Sequence, residues 1–249
     1  MARIPVGLQL YSVRSECAKD LAGTVAAVAR MGYKGVEFAG YYNKSAADLR
    51  KLLDENGLKC CGTHTGFDTL MGDNLAKTIE FNKTLGNKFL IVPGMQAKTR
   101  QDWLDKAKAF TELVDKVKPQ GMYVGYHNHA QEFKPLEGGE LPWDLFFGNT
   151  PKDVVMQFDI GNAMGSGGKA VDYLKKYPGR ALTIHLKPWS KSNPKAVIGE
   201  DELPWKEIFD LCETTGNTEW YIVEYEVPGL PPLEAVEKCL AGLKKMGKA

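Results

Sequence analysis

The chain has 249 residues, 43% of them hydrophobic and 25% charged, with a formal net charge of +1. That length is enough to bury one large core, and the near-neutral balance offers no basic footprint for nucleic acid. No run of apolar residues reaches the roughly 18 needed for a membrane-spanning helix.

The first strand-like run, VGLQLYS (6–12), follows MARIP directly, without the apolar stretch and small-residue cleavage site of a secretory signal. A helix is expected over 18–31, with Leu21, Val25, Val28 and Ala29 apolar and a stop at Gly32. GVEFAG (35–40) is the second strand, and a helix over 45–56 opens on a Ser cap and stops at Gly57. LKCCGTHTG (58–66) leads into a helix over 74–85 that stops at Gly86. FLIVPG (89–94) leads into a helix over 99–117 that opens on Thr and stops before Pro119. The strands MYVGYHNH (122–129), VVMQFDIG (154–161), ALTIHLK (181–187) and WYIVEYE (220–226) alternate with helices over 143–147, 170–177, 204–215 and 232–246. The strands are near-continuously apolar, as parallel strands covered on both faces are. Eight strand–helix alternations predict an α/β chain folded as a (β/α)8 barrel, one domain over 1–249. A doubly wound sheet would carry a Gly-rich fingerprint after its first strand, and GLQLYSVRSE has none.

In such a barrel the site lies at the C-terminal ends of the strands. Four late strands end in residues that bind metals well: His127, Asp159, His185 and Glu224. Acids and imidazoles are costly to bury unless paired or metal-bound, so this recurrence predicts one convergent site. The earlier strand ends carry Tyr11, Arg14, Glu37 and His64; His129, Asn162, Lys187 and Trp189 follow the later ones. All four histidines of the chain fall in this set. A lone strand histidine is more often a hydrogen-bonded core residue, and Glu37 could simply pair with Lys34 at the rim. A one-residue change of register on the fifth strand would pass the ligand role from His127 to His129 or Asn128. The mixed nitrogen and oxygen donors suit one divalent ion such as Mn, Zn, Co, Fe or Mg. GSGGKA (165–170) fails as a phosphate loop, because Ala170 stands where Ser or Thr would hold magnesium. Five cysteines, with Cys60 and Cys61 adjacent and no CxxC, argue against a disulfide framework and for a reducing, cytoplasmic setting.

The motifs GLQLYSVR, GVEFAG, THTG, GYHNHAQEF, FDIGN, HLK and IVEYE resemble those of the xylose isomerase-like TIM-barrel superfamily, in its sugar phosphate isomerase/epimerase group. The resemblance covers nearly the whole chain. It implies a metal held by Asp159, His185 and Glu224, with His127 standing where ketose 3-epimerases carry a glutamate. It also implies a small carbohydrate as substrate, no nucleic-acid or membrane partner, and a frequent homo-oligomer. The expected function is a metal-dependent sugar isomerase or epimerase that abstracts a proton next to a carbonyl. Glu224 or Glu132 would be the base, and His64 or Lys187 the acid or oxyanion stabiliser. Tyr11, Arg14, Glu37, His129, Asn162 and Trp189 would bind substrate, with Phe67 packing on a sugar ring. Losing the first glutamate makes a lyase the rival reading, one that expels a β-substituent from a keto-sugar, keto-inositol or 3-keto-glycoside. A non-enzymatic carbohydrate-binding barrel is the third reading. The endonuclease IV branch needs three zinc ions and more ligands than four histidines and these acids provide.

Overall fold

The computed structural model describes residues 3–249. Eight parallel strands close in sequence order: β1 Val6–Gln9, β2 Gly35–Phe38, β3 Lys59–His64, β4 Phe89–Val92, β5 Tyr123–His127, β6 Val155–Asp159, β7 Thr183–Leu186 and β8 Trp220–Val223. Closure pairs Val6, Gly7 and Leu8 with Tyr221, Ile222 and Val223. The helices are α1 Arg14–Lys19, α2 Leu21–Met31, α3 Ala46–Glu55, α4 Asn74–Leu85, α5 Arg100–Val117, α6 Pro142–Gly148, α7 Ile160–Met164, α8 Ala170–Lys176, α9 Trp205–Thr214 and α10 Pro232–Lys245. The (β/α)8 reading therefore holds.

The caps behave as their residue types dictate. Ser45 Oγ accepts from the Asp48 N–H, Thr99 and Asp102 form a reciprocal capping box, and left-handed Gly32 and Gly86 end α2 and α4. Two departures from the sequence reading have local causes. The helix expected over 18–31 breaks at Asp20, which is extended and caps a new helix by accepting from the Gly23 N–H. The strands also stop earlier than the apolar runs do. The first ends at Gln9, whose side-chain oxygen accepts from the Tyr11 N–H and turns residues 10–13 into one tight 3-10 turn.

The barrel interior changes character along its axis. Its lower layers are filled by Cys61, Phe89, Ile91, Val155, Trp220 and Ile222. Full burial of Phe89, Ile91, Val155 or Ile222 contributes about 1.5–3 kcal/mol each. Above them stand Gln9, Glu37, Gln157 and Thr183, then His127, Asp159, His185 and Glu224, all buried. A second apolar core, including Phe38, Tyr126, Trp143 and Phe158, fills the space between strands and helices. All five cysteines are unpaired and buried; Cys60 faces the helices and Cys61 the barrel interior. No helix among the described residues is long and apolar enough to cross a membrane.

Candidate metal centre

Alternation along each strand decides which side chains enter the barrel. Donor atoms of His127, Asp159, His185 and Glu224 all lie within 4.8 Å of one another. His185 Nδ1 stands 2.8 Å from Glu224 Oε2 and 3.8 Å from Asp159 Oδ2. Two ligand atoms each about 2.1 Å from one ion stand roughly 3.0–3.4 Å apart, so these separations suit a single centre. Two buried donors support it further. His127 Nδ1 and Asp159 Oδ2 have no hydrogen-bond partner, a state that costs about 1–3 kcal/mol per group unless something else binds there. Asp159 divides its oxygens: Oδ1 accepts from the Asn162 N–H and caps α7, while Oδ2 faces the cluster. The donor set fits a divalent cation held by His127, Asp159, His185 and Glu224.

Burial and neighbouring charge set the protonation states. Burial and the nearby Glu224 carboxylate push Asp159 up to about 7, against the pull of Lys187 and His185. Burial alone would lower His185, but Glu37 and Glu224 on its two nitrogens raise it to about 10. His127 falls well below the usual histidine range, through burial and the neighbouring His185 and His64. Burial opposes ionisation of Glu224, yet the His185 hydrogen bond and the Lys187 ammonium hold it well below the carboxylate range. Glu37 also stays ionised, because His64 and His185 outweigh its burial.

A metal-dependence on pH follows. A cation held by these four residues through His185 Nδ1 would displace the proton there, and below about pH 7 the Asp159 proton as well. Divalent-ion affinity is therefore expected to fall as pH drops, about tenfold per unit per displaced proton, and more steeply below pH 7. Calorimetric titration in buffers of different ionisation enthalpy counts those protons directly; uptake with no proton release would contradict the assignment.

A cleft of about 790 Å³ opens above the cluster, with Tyr11, His64, His127, His129, Glu224 and Glu226 on its walls. Beside it, across Gly40 and His64, lies a smaller cleft of about 380 Å³ bordered by Tyr41 and Phe81. Arg14 sits at the rim, its guanidinium 4.1 Å over the Tyr11 ring and 3.8 Å from Glu226. Lys187 is mostly buried and reaches both Glu224 Oε1 at 2.9 Å and Glu226 Oε2 at 2.5 Å. Gly161 makes room for it, since a Cβ there would meet the Lys187 chain at 2.9 Å.

Other expected positions lie elsewhere. Glu132 does not face the cluster. It is buried behind β5, accepting from Tyr126 Oη at 2.6 Å and the His129 N–H at 2.8 Å, so it clamps the loop after the strand. The base role considered for it is withdrawn. Glu37 neither lines the cleft nor pairs with Lys34; it lies fully buried beneath the cluster, bonded to Gln9, Gln157 and His185. Its direct contact with substrate is withdrawn too. Asn162 turns its amide to the Asn128 carbonyl, and Asn128 exchanges two hydrogen bonds with the Asp159 backbone. These two asparagines bracket the ends of β5 and β6. Asn128 is thereby engaged outside the cluster, and His129 stands exposed with its ring 5.1 Å from that of His127. His127 is thus the β5 residue that enters the site. Trp189 packs beside Gly165, 3.6 Å from where a Cβ would be. Sequence reasoning missed Gln157 and the α7 cap. The signal for Gln157 was its place two residues before Asp159, on the same strand face.

Fold and site together define a (β/α)8 barrel with a mixed His/carboxylate donor cluster at the C-terminal mouth of its strands. The family model described as xylose isomerase-like TIM barrel matches residues 25–246, and the chain belongs to that family. Curated relatives include the inosose dehydratase of Serratia proteamaculans, 26% identical with 81% of each chain covered. That of Glaesserella parasuis is 24% identical, again with 81% of each chain covered. Among solved structures, a sugar phosphate isomerase/epimerase from Parabacteroides distasonis superposes with a TM-score of 0.81 at 26% identity, covering 98% of this chain and 94% of that one.

Proposed function

We propose that this protein is a divalent-metal-dependent enzyme that abstracts the proton next to the carbonyl of a keto-sugar or keto-inositol and expels the β-substituent. The observation that carries the reading is the arrangement of carboxylates. Proton exchange between two glutamates on opposite faces of a substrate needs a second acid across from Glu224. At the end of β5 the residue in the cluster is His127, not a carboxylate, and Glu132 is turned away. Glu226 does not replace it, because it shares Lys187 with Glu224 on the same side. One base with a separate proton donor is the equipment of an elimination.

A bound divalent ion supplies a Lewis-acid contact that draws charge from the substrate carbonyl. The remaining work falls to side chains. Glu224, kept ionised by His185 and Lys187, takes the proton from the carbon beside the carbonyl. Lys187, whose ammonium lies between Glu224 and Glu226, offsets the charge that develops beside them. His64 donates Nε2–H to Gln157, which leaves Nδ1 as an acceptor, so protonation of the leaving group falls to His129 on the cleft wall. The carbon–oxygen bond breaks, and an unsaturated carbonyl product leaves with water or an alcohol. The dehydratase relatives support this reading at 24–26% identity.

An isomerase remains the second reading, favoured by the Parabacteroides neighbour and by the fact that one carboxylate suffices to shuttle a proton between adjacent carbons. Product mass separates the two. The manganese- or cobalt-loaded protein is expected to convert a keto-inositol or 3-keto-glucoside into a product lighter by the expelled group. A product of unchanged mass would establish the isomerase, and no turnover of either compound would overturn the elimination.

A further inference from the structure

Beneath the donor cluster lies a carboxylate with no path to a ligand in the cleft. Glu37 Oε1 accepts from Gln157 Nε2 at 2.7 Å. Its Oε2 accepts from Gln9 Nε2 at 2.7 Å and from His185 Nε2 at 2.6 Å, with His64 Nε2 at 3.3 Å. The orientation of both glutamines is set by their partners. Gln9 Oε1 accepts from the Tyr11 N–H, and Gln157 must turn its NH2 to the carboxylate Glu37 Oε1, which can only accept, while Thr183 Oγ1 takes the other N–H. Gln157 Oε1 therefore faces His64 Nε2, 3.0 Å away. An ionised carboxylate only accepts, so each neighbour must bring the proton. His185 thus carries hydrogen on Nε2 in either of its charge states, and Nδ1 is the nitrogen turned to Asp159 and Glu224. The acceptor Gln157 Oε1 likewise requires Nε2–H on His64.

The barrel accommodates this group specifically. The β2–β3 register shifts between Val36 and Glu37. Gly62 opposite leaves the space, since a Cβ there would lie 2.3 Å from Glu37 Oε1.

The geometry points to Glu37 as the positioning residue of the metal centre: together with Gln157 it fixes the ring tautomers of His185 and His64, and so presents His185 Nδ1 to the cation. This inference rests on the metal reading above. A carboxylate behind a ligating histidine orients the ring and raises its basicity, and losing such a partner lowers metal affinity about 10–100-fold. An amide cannot stand in for it, because its NH2 would meet the NH2 of Gln9 or Gln157, or the His185 N–H.

The test is a zinc titration combined with nitrogen-15 spectra of the histidine rings, for wild type, Glu37→Gln and Gly62→Ala. In wild type, His185 Nε2–H should give a downfield, slowly exchanging proton with and without zinc, and zinc should move the His185 Nδ1 resonance far more than the Nε2 one. Glu37→Gln should lose that proton and bind zinc about 10–100-fold more weakly. Gly62→Ala, which displaces the carboxylate without removing it, should reproduce both effects in smaller degree. It carries the test if Glu37→Gln fails to fold. Zinc bound through His185 Nε2, or a folded Glu37→Gln with wild-type affinity, would overturn this role alone. A wild-type protein that takes up no zinc would overturn the metal reading, and this role with it.

Discussion

The Asp159→Asn protein is expected to take up no divalent ion yet to be more stable than metal-free wild type at pH 8. The amide oxygen can still accept from the Asn162 N–H, so the cap of α7 survives. What is lost is the anion whose Oδ2 faces the cluster without a hydrogen-bond partner. Affinity should drop by more than the roughly 10–100-fold typical of outer partners, because a ligand itself is removed. The stability gain has a definite sign. The folded-state pKa of Asp159 rises from 3.8 to about 7, chiefly through burial. A raised carboxyl contributes stability that is full below its unfolded value and lost as pH climbs through the folded one. Metal-free wild type should therefore fall behind the variant between about pH 4 and 7. The difference should plateau above pH 7 on the order of a few kcal/mol, or about 2–4 °C of melting temperature per kcal/mol. Thermal melts across pH, with and without manganese, read both effects. A variant that keeps the metal-induced rise in melting temperature would remove Asp159 from the ligand set.

The second large effect is expected at Glu224. Its two oxygens are engaged by Lys187 and His185, so Glu224→Gln places an NH2 against either an ammonium or an imidazole N–H. Turnover should fall about 10²–10⁴-fold, the range for loss of a general base. Metal affinity would fall as well, so turnover alone does not separate the two roles. Exchange of the substrate's acidic hydrogen in D2O at saturating metal does separate them. Exchange should vanish in the variant if Glu224 is the base. Exchange that persists while product formation stops would move the base elsewhere and leave Glu224 as a ligand only.

The same contrast between ligand and support shows how far the sequence could be read. The eight strands and their helices were legible because apolar runs, Ser and Thr caps and terminal glycines are local signals that the barrel did not override. The four principal donors were legible for a related reason. A parallel barrel brings successive strand ends together, so recurrence at strand ends translates into proximity. Glu132 shows the limit. As a carboxylate three residues after His129 it looked like a candidate base, but the 3-10 turn Gln131–Phe133 folds it back onto Tyr126, behind the strand. Glu37 shows the opposite error, since GVEFAG suggested a rim residue where the structure holds a buried anion.

The sequence by itself determined the barrel, the order of its strands and the donor types gathered at their mouths, because these depend on periodicity and on the order of residues along the chain. The tertiary structure alone decided that His127 rather than Asn128 or His129 enters the site, that Glu132 leaves it, and that Glu37 and Gln157 stand beneath it. Those choices depend on strand register and on hydrogen bonds between residues up to 148 apart in the chain. A local pattern does not encode such partners, and hydrogen bonding is too directional to be inferred without them.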